Sequence, residues 1–181
     1  MDLNNNIVTL DKLSPDIKLI VIDQIKNIFF EASSVKVFKD EESKAIFFKR
    51  WCGDYIEHYP HYFYLMFENQ KLLGYLSGCL NTIESFSILN VPGVRLFSDL
   101  YNDYPAHLHI NFSSDCRGKG LGSVLVEHYL YECKSNKVKG VHLITSQDAK
   151  NVSFYRKLGF TDEFPRVAQS FTQLLMGKKI E

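Results

Sequence analysis

The sequence has no uninterrupted apolar stretch approaching the length needed to cross a bilayer. Its opening residues, Met1-Asp2-Leu3-Asn4-Asn5-Asn6, form neither a basic region nor an apolar run. No membrane span, secretory signal or membrane partner is expected, and the expected location is the cytoplasm. The chain also lacks an excess of charge. Lys+Arg and Asp+Glu both total 21, so bulk electrostatics offer nothing to nucleic acid, and no such partner is expected. Cys52, Cys79, Cys116 and Cys133 make no Cys-x-x-Cys pair, which favours reduced thiols over disulfides or zinc. Internal repeats, low-complexity runs and linker-like stretches are missing too. The 181 residues, 45% of them hydrophobic, are read as a single domain over 1–181 with a substantial core.

What is present is a regular alternation of periods. Residues 7–10 suit a short strand. Ser14-Pro15 reads as a helix start, and Ile17, Ile20, Val21, Gln24, Ile25 and Ile28 as its apolar stripe, running to Ala32. Asp40 is placed to cap a second helix through Trp51, with Gly53 as its stop. Residues 62–68 and 72–80 read as strands joined by Asn69-Gln70-Lys71, with Gly74 and Gly78 marking bulges or close backbone approach. Residues 83–89 fit helix or strand, and 90–105, with Pro92, Gly93 and Pro105, form a long connection. A strand over 107–112 precedes a helix from Leu121 to near Asn136. Then come a strand over 141–145, a helix over 149–158 closed by Gly159, and two last strands near Ala168 and over 174–179. This order predicts an α/β fold with a mixed sheet.

Between the strand at 107–112 and the following helix lies Arg117-Gly118-Lys119-Gly120-Leu121-Gly122-Ser123. Three glycines let the backbone turn sharply, and the helix start adds unpaired N–H groups and the positive dipole end. Such a loop is an anion seat, suited to a diphosphate. It is not a Walker A loop, since Ser113 or Ser114 stands where glycine is needed and Gly120 where serine or threonine is needed. The dinucleotide pattern fails as well, finding Ser123 or Leu125 in place of its third glycine.

Read as Arg-x-x-Gly-x-Gly through Arg117, Gly120 and Gly122, the loop resembles the acyl-CoA pyrophosphate loop of the GNAT superfamily of N-acyltransferases. Phe154-Tyr155-Arg156-Lys157-Leu158-Gly159-Phe160 resembles that family's late helix and following turn. The resemblance implies a GNAT-like sheet with splayed middle strands flanked by helices, and acetyl transfer from acetyl-CoA as cosubstrate to a small-molecule or peptide amine. It implies backbone contacts from Ile110, Asn111 and Phe112 to pantetheine and thioester. Amides of Arg117, Gly118, Lys119, Gly120, Leu121, Gly122 and Ser123 would hold the pyrophosphate. Tyr155 matches the tyrosine that serves the leaving thiolate. Where the family has Asn, this chain has Asp148, so Asn151 is the expected substitute contact unless Asp148 simply caps the helix.

The base is read from residue types alone. His107 and His109 share one face of the central strand, with Asp99, Asp103 and Glu84 as further possibilities. The His-x-His pair lacks a third ligand, so no metal is expected. Phe86, Phe97, Tyr101, Tyr104, Asp99 and Asp103 suit the acceptor side or a packed loop equally. Tyr104-Pro105-Ala106-His107-Leu108-His109-Ile110 also resembles the acetyltransferase-like domain attached to O-GlcNAcase. That similarity keeps open a non-catalytic acyl-CoA-binding or sensing module. The oligomeric state is not fixed by the sequence.

Overall fold

A computed structural model describes residues 7–91, 93–168 and 171–181; Pro92 and the opening residues 1–6 lie outside them. After β1 (Ile7–Thr9), α1 (Pro15–Ala32) starts at Pro15, whose ring presets a helical φ behind Ser14. Its buried face is Val21, Ile25, Ile28 and Phe29. Ile17 and Ile20, expected on that face, are 51% and 64% exposed. Periodicity gives the direction of a side chain but not where the neighbouring layer ends, and the first turns of α1 overshoot it.

In α2 (Glu41–Phe48) the Asp40 carboxylate accepts the Ser43 amide at 2.7 Å, as its capping role requires. The expected stop at Gly53 is not made. Gly53 holds helical angles of −60° and −41°, and a glycine ends a helix only by leaving that region. Instead a wider turn, Lys49–Gly53, carries the chain into α3 (Asp54–His58), with the Asp54 amide reaching back to the Lys49 carbonyl.

β2 (Phe63–Glu68) and β3 (Lys71–Cys79) form a hairpin through Asn69 and Gln70, whose φ values of 47° and 68° match the twist of the flanking strands. Lys71 belongs to β3, not to the turn. Met66 faces Gly74 while Phe67 faces Leu72, so Leu73 is bulged. A Cβ on Gly74 would overlap the Phe112 ring. That glycine marks a close approach.

After α4 (Thr82–Ser85) and a 3-10 segment (Val94–Leu100) come β4 (Ala106–Phe112), α5 (Leu121–Ser135), β5 (Gly140–Ser146), α6 (Val152–Lys157), β6 (Asp162–Ala168) and β7 (Phe171–Lys179). The seven strands order as β1-β2-β3-β4-β5-β7-β6. The sheet is mixed: β4 and β5 run parallel, and β1–β2, β2–β3, β5–β7 and β6–β7 run antiparallel. A parallel step needs a crossover, and α5 supplies it. The β4–β5 register is confined to Ala106↔Val141 and His107↔His142.

The chain divides into two compact units. The first, Met1–Gly78 with His109–His128, is rich in packed rings. Phe29 meets Phe30, Phe47 and Phe48 at 5.1–5.5 Å, and Phe63 stacks on Tyr75 at 5.1 Å. The second is Cys79–Leu108 with Tyr129–Glu181, and Phe97, Tyr101 and Leu175 centre its core.

Candidate active site

The glycine loop lies wholly in the first unit. The Ser113 amide donates to the Leu73 carbonyl at 3.0 Å as the chain leaves β4, and Ser114–Cys116 makes one 3-10 turn. Arg117 is extended, and its Nε donates to the Phe112 carbonyl at 3.0 Å. Gly118 and Gly120 then take φ values of 75° and 80°, where a side chain is strained by its own backbone. A Cβ at either would meet nothing within 4 Å. These glycines are required by conformation, not by space. Among the described residues the amides of Gly118, Lys119, Gly120, Leu121 and Gly122 donate to no backbone carbonyl. The amides of Arg117 and Ser123, at the two ends, already reach the Ser114 and Gly120 carbonyls at 3.4 and 3.0 Å. Five free donors at the start of a fifteen-residue helix make the loop fit an oxyanion.

Along β4, Ile110 and Asn111 are half-buried. Asn111 Nδ2 donates to the Tyr75 hydroxyl at 2.9 Å, so that side chain is tied to β3. His109 meets the edges of Trp51 and Tyr55 at 6.2 and 5.6 Å. Burial pushes its pKa down to about 4, leaving it neutral at pH 7.

In the second unit, His107 is buried, with Nδ1 2.7 Å from Thr82 Oγ1. The single Thr82 hydroxyl proton goes to the Pro105 carbonyl at 2.8 Å. With the Thr82 proton on Pro105, His107 Nδ1 donates to Thr82 Oγ1. Tyr155 is buried on α6, with ring centroids 5.0 Å from Phe154 and 5.9 Å from Phe160. Burial raises its phenol pKa, so it stays protonated. The Phe160 amide reaches the Tyr155 carbonyl at 3.1 Å and the Gly159 amide reaches Arg156 at 3.0 Å. With Gly159 at φ 85°, this is a Schellman ending.

The helix expected from residue 149 begins only at Val152. The Ala149 and Val152 amides are spent on turn bonds to Ser146 and Ala149, which delay it. The capping position is Asn151 and not Asp148. Asn151 Oδ1 accepts from the Thr145 hydroxyl at 3.1 Å.

The profile of the Acetyltransferase (GNAT) family matches residues 22–160. The chain belongs to the GNAT acetyltransferase family. Similar solved structures share its fold at low identity. SsHAT is 18% identical with a TM-score of 0.71, covering 97% of this chain and 98% of its own. An N-acetyltransferase from Staphylococcus aureus is 14% identical with a TM-score of 0.60, at the same coverage. A ribosomal-protein-alanine N-acetyltransferase from Brucella melitensis is 17% identical with a TM-score of 0.57, covering 96% and 98%. No curated protein sequence matches the chain.

Within this GNAT chain, the two aspartates of the long connection are held in ion pairs. Asp99 holds Arg166 through two bonds of 2.6 and 2.7 Å, and Asp103 pairs with Lys179 at 3.0 Å. Glu84 is exposed. Asp54, Glu57 and His58 bring ligand atoms within 4.8 Å of one another, but the Lys49 ammonium already sits on both carboxylates. The sequence reading missed the distant partners of the turn that precedes the glycine loop. Glu31 meets the Ser114 amide from 83 positions away, and Lys71 meets Asp115 from 44. No local signal marks pairs so far apart.

Proposed function

We propose that this GNAT chain transfers the acetyl group of acetyl-CoA to an amine of a small molecule or peptide by direct attack on the thioester. The observation that carries the reading is the run of five unpaired amides at residues 118–122, set by two left-handed glycines at the start of α5. They would receive the CoA diphosphate, with Arg117 and the half-buried Ser123 flanking it.

The β4 backbone at Ile110, Asn111 and Phe112 would align pantetheine, and an amide there would stabilise the oxyanion. Asn151 would supply a further contact. Tyr155, kept protonated by burial, suits the leaving thiolate. The amine arrives largely protonated, with a pKa of about 10.4 if lysine-like and about 7.7–8.0 if an α-amine. His109, held neutral by burial, or His107 would relay its proton to water. Thiols outside any disulfide support a reducing, cytoplasmic setting. Among the described residues no helix is long and apolar enough to cross a membrane.

Calorimetry of CoA and acetyl-CoA against the chain and its Gly120→Glu variant tests the reading. A carboxylate in the anion seat should weaken binding by at least about 100-fold while the fold persists. Equal affinity in the folded variant removes the cofactor assignment. Thiol release from acetyl-CoA with an amine panel separates a transferase from a binding module, which would bind without turnover.

A further inference from the structure

Two carboxylates stand next to a loop assigned to a diphosphate, and their charge has the wrong sign for that neighbourhood. Asp115 lies in the turn just before Arg117, and Glu31 comes from the end of α1. Both are engaged. One oxygen of Asp115 accepts the Lys71 ammonium at 2.7 Å, and the other accepts the Ser113 hydroxyl and the Cys116 thiol. Glu31 receives the Ser114 amide on both oxygens at 3.3 Å. The Lys71 bond first, and then those of Ser113 and Cys116, hold Asp115 well below the usual carboxylate range. The Ser114 bond lowers the Glu31 carboxyl as well.

The segment has little support of its own. Two amide bonds, Cys116 to Ser113 and Arg117 to Ser114, close its one turn, and the Ser113 amide and Arg117 side chain tie its ends to the Leu73 and Phe112 carbonyls. Among the described residues the five amides beyond it donate to no backbone carbonyl. A stretch with three glycines and no ladder has wide backbone freedom, so its geometry depends on its anchor. The anchor joins it to regular elements of the same unit, since Lys71 opens β3 and Glu31 lies in the last turn of α1.

Resting on the acyl-CoA reading above, we infer that Lys71, Asp115 and Glu31 are positioning residues. They clamp residues 113–116 and so hold the amides of 118–122 in one geometry before a diphosphate arrives. Preorganisation of this kind lowers the ordering cost of binding.

The sign of the mutational effect decides the matter. Coulomb's law alone makes an anion bind more tightly when a nearby carboxylate is removed. A clamp makes it bind more weakly. The experiment is calorimetry of CoA at about 0.15 M salt with the full chain and with Asp115→Asn, Glu31→Ala, Lys71→Met and the Lys71→Met/Asp115→Asn double variant.

Each single change should weaken CoA by about three- to tenfold, and the double should be no worse than the worse single, because the pair acts as a unit. KM for acetyl-CoA should rise with kcat held, and amide exchange at 113–122 should quicken in the CoA-free Asp115→Asn chain. Only the two acids discriminate, since loss of Lys71 weakens binding on either account. Unchanged or tighter CoA binding in both Asp115→Asn and Glu31→Ala overturns the clamp. Failure of the unaltered chain to bind CoA overturns the acyl-CoA reading itself, a different result on the same instrument.

Discussion

Tyr155 separates binding from chemistry at the scale of a single hydroxyl. Its ring is packed between Phe154 and Phe160, and Tyr155→Phe keeps that packing. If the hydroxyl serves the leaving thiolate, acetyl-CoA affinity should hold while single-turnover transfer slows by about 10²–10⁴, the range for losing a general acid. An undiminished chemical rate would make Tyr155 a packing residue only. Residues of this kind were legible because they sit inside short patterns: Arg117, Gly120 and Gly122 in one, Tyr155 and Gly159 in another. Glu31 and Lys71 were illegible for the opposite reason. Each acts on a turn many tens of positions away, and an exposed acid or lysine looks alike in sequence whether or not it holds something.

Elements were legible where local chemistry sets their ends. Asp40 caps α2 and Gly159 ends α6, each as its residue type demands. Gly159 also takes φ 85° beside Lys178, whose Nζ donates to the Leu158 carbonyl at 2.8 Å. Gly159→Ala should cost about 1–2 kcal/mol through its left-handed backbone, since the nearest atom to the new Cβ, Lys178 Nζ at 3.1 Å, can swing away. Thermal unfolding should fall by roughly 2–4 °C per kcal/mol for a chain of this size, and Gly159→Asn by less. A melting curve unmoved by alanine would show that the cap carries no such strain. Element ends set by tertiary packing stayed hidden, as at Gly53, where nothing local announces that the helix runs on.

At the level of the whole molecule, the mixed α/β class followed from the alternation of strand and helix periods. The parallel β4–β5 step agrees with the helix placed between those strands. The ion pairs of Asp99 and Asp103 did not follow, because these residues read alike as substrate ligands and as partners of Arg166 and Lys179. The thiols give a test of the entire chain. Cys52, Cys79, Cys116 and Cys133 are all buried thiols outside any disulfide, and burial pushes Cys52 and Cys133 up to about 12. A chromogenic disulfide should find almost no thiol in the native chain within minutes and four after denaturation. Reductant should leave the melting temperature unchanged. Rapid native labelling of two or more thiols would contradict this packing.

The wide turn at Lys49–Gly53 has a consequence for comparing this chain with its relatives. An i to i+5 turn holds one residue more than the helical turns on either side. A relative with a plain helix here would be one residue shorter, and the gap would fall inside a helix, where alignments seldom put one. Left ungapped, every later helical position would be rotated by about 100°. Trp51 and Tyr55, which flank His109, would then be matched to residues facing elsewhere. Residue correspondence with such a relative therefore needs a one-residue correction at this turn before side chains beyond it are compared.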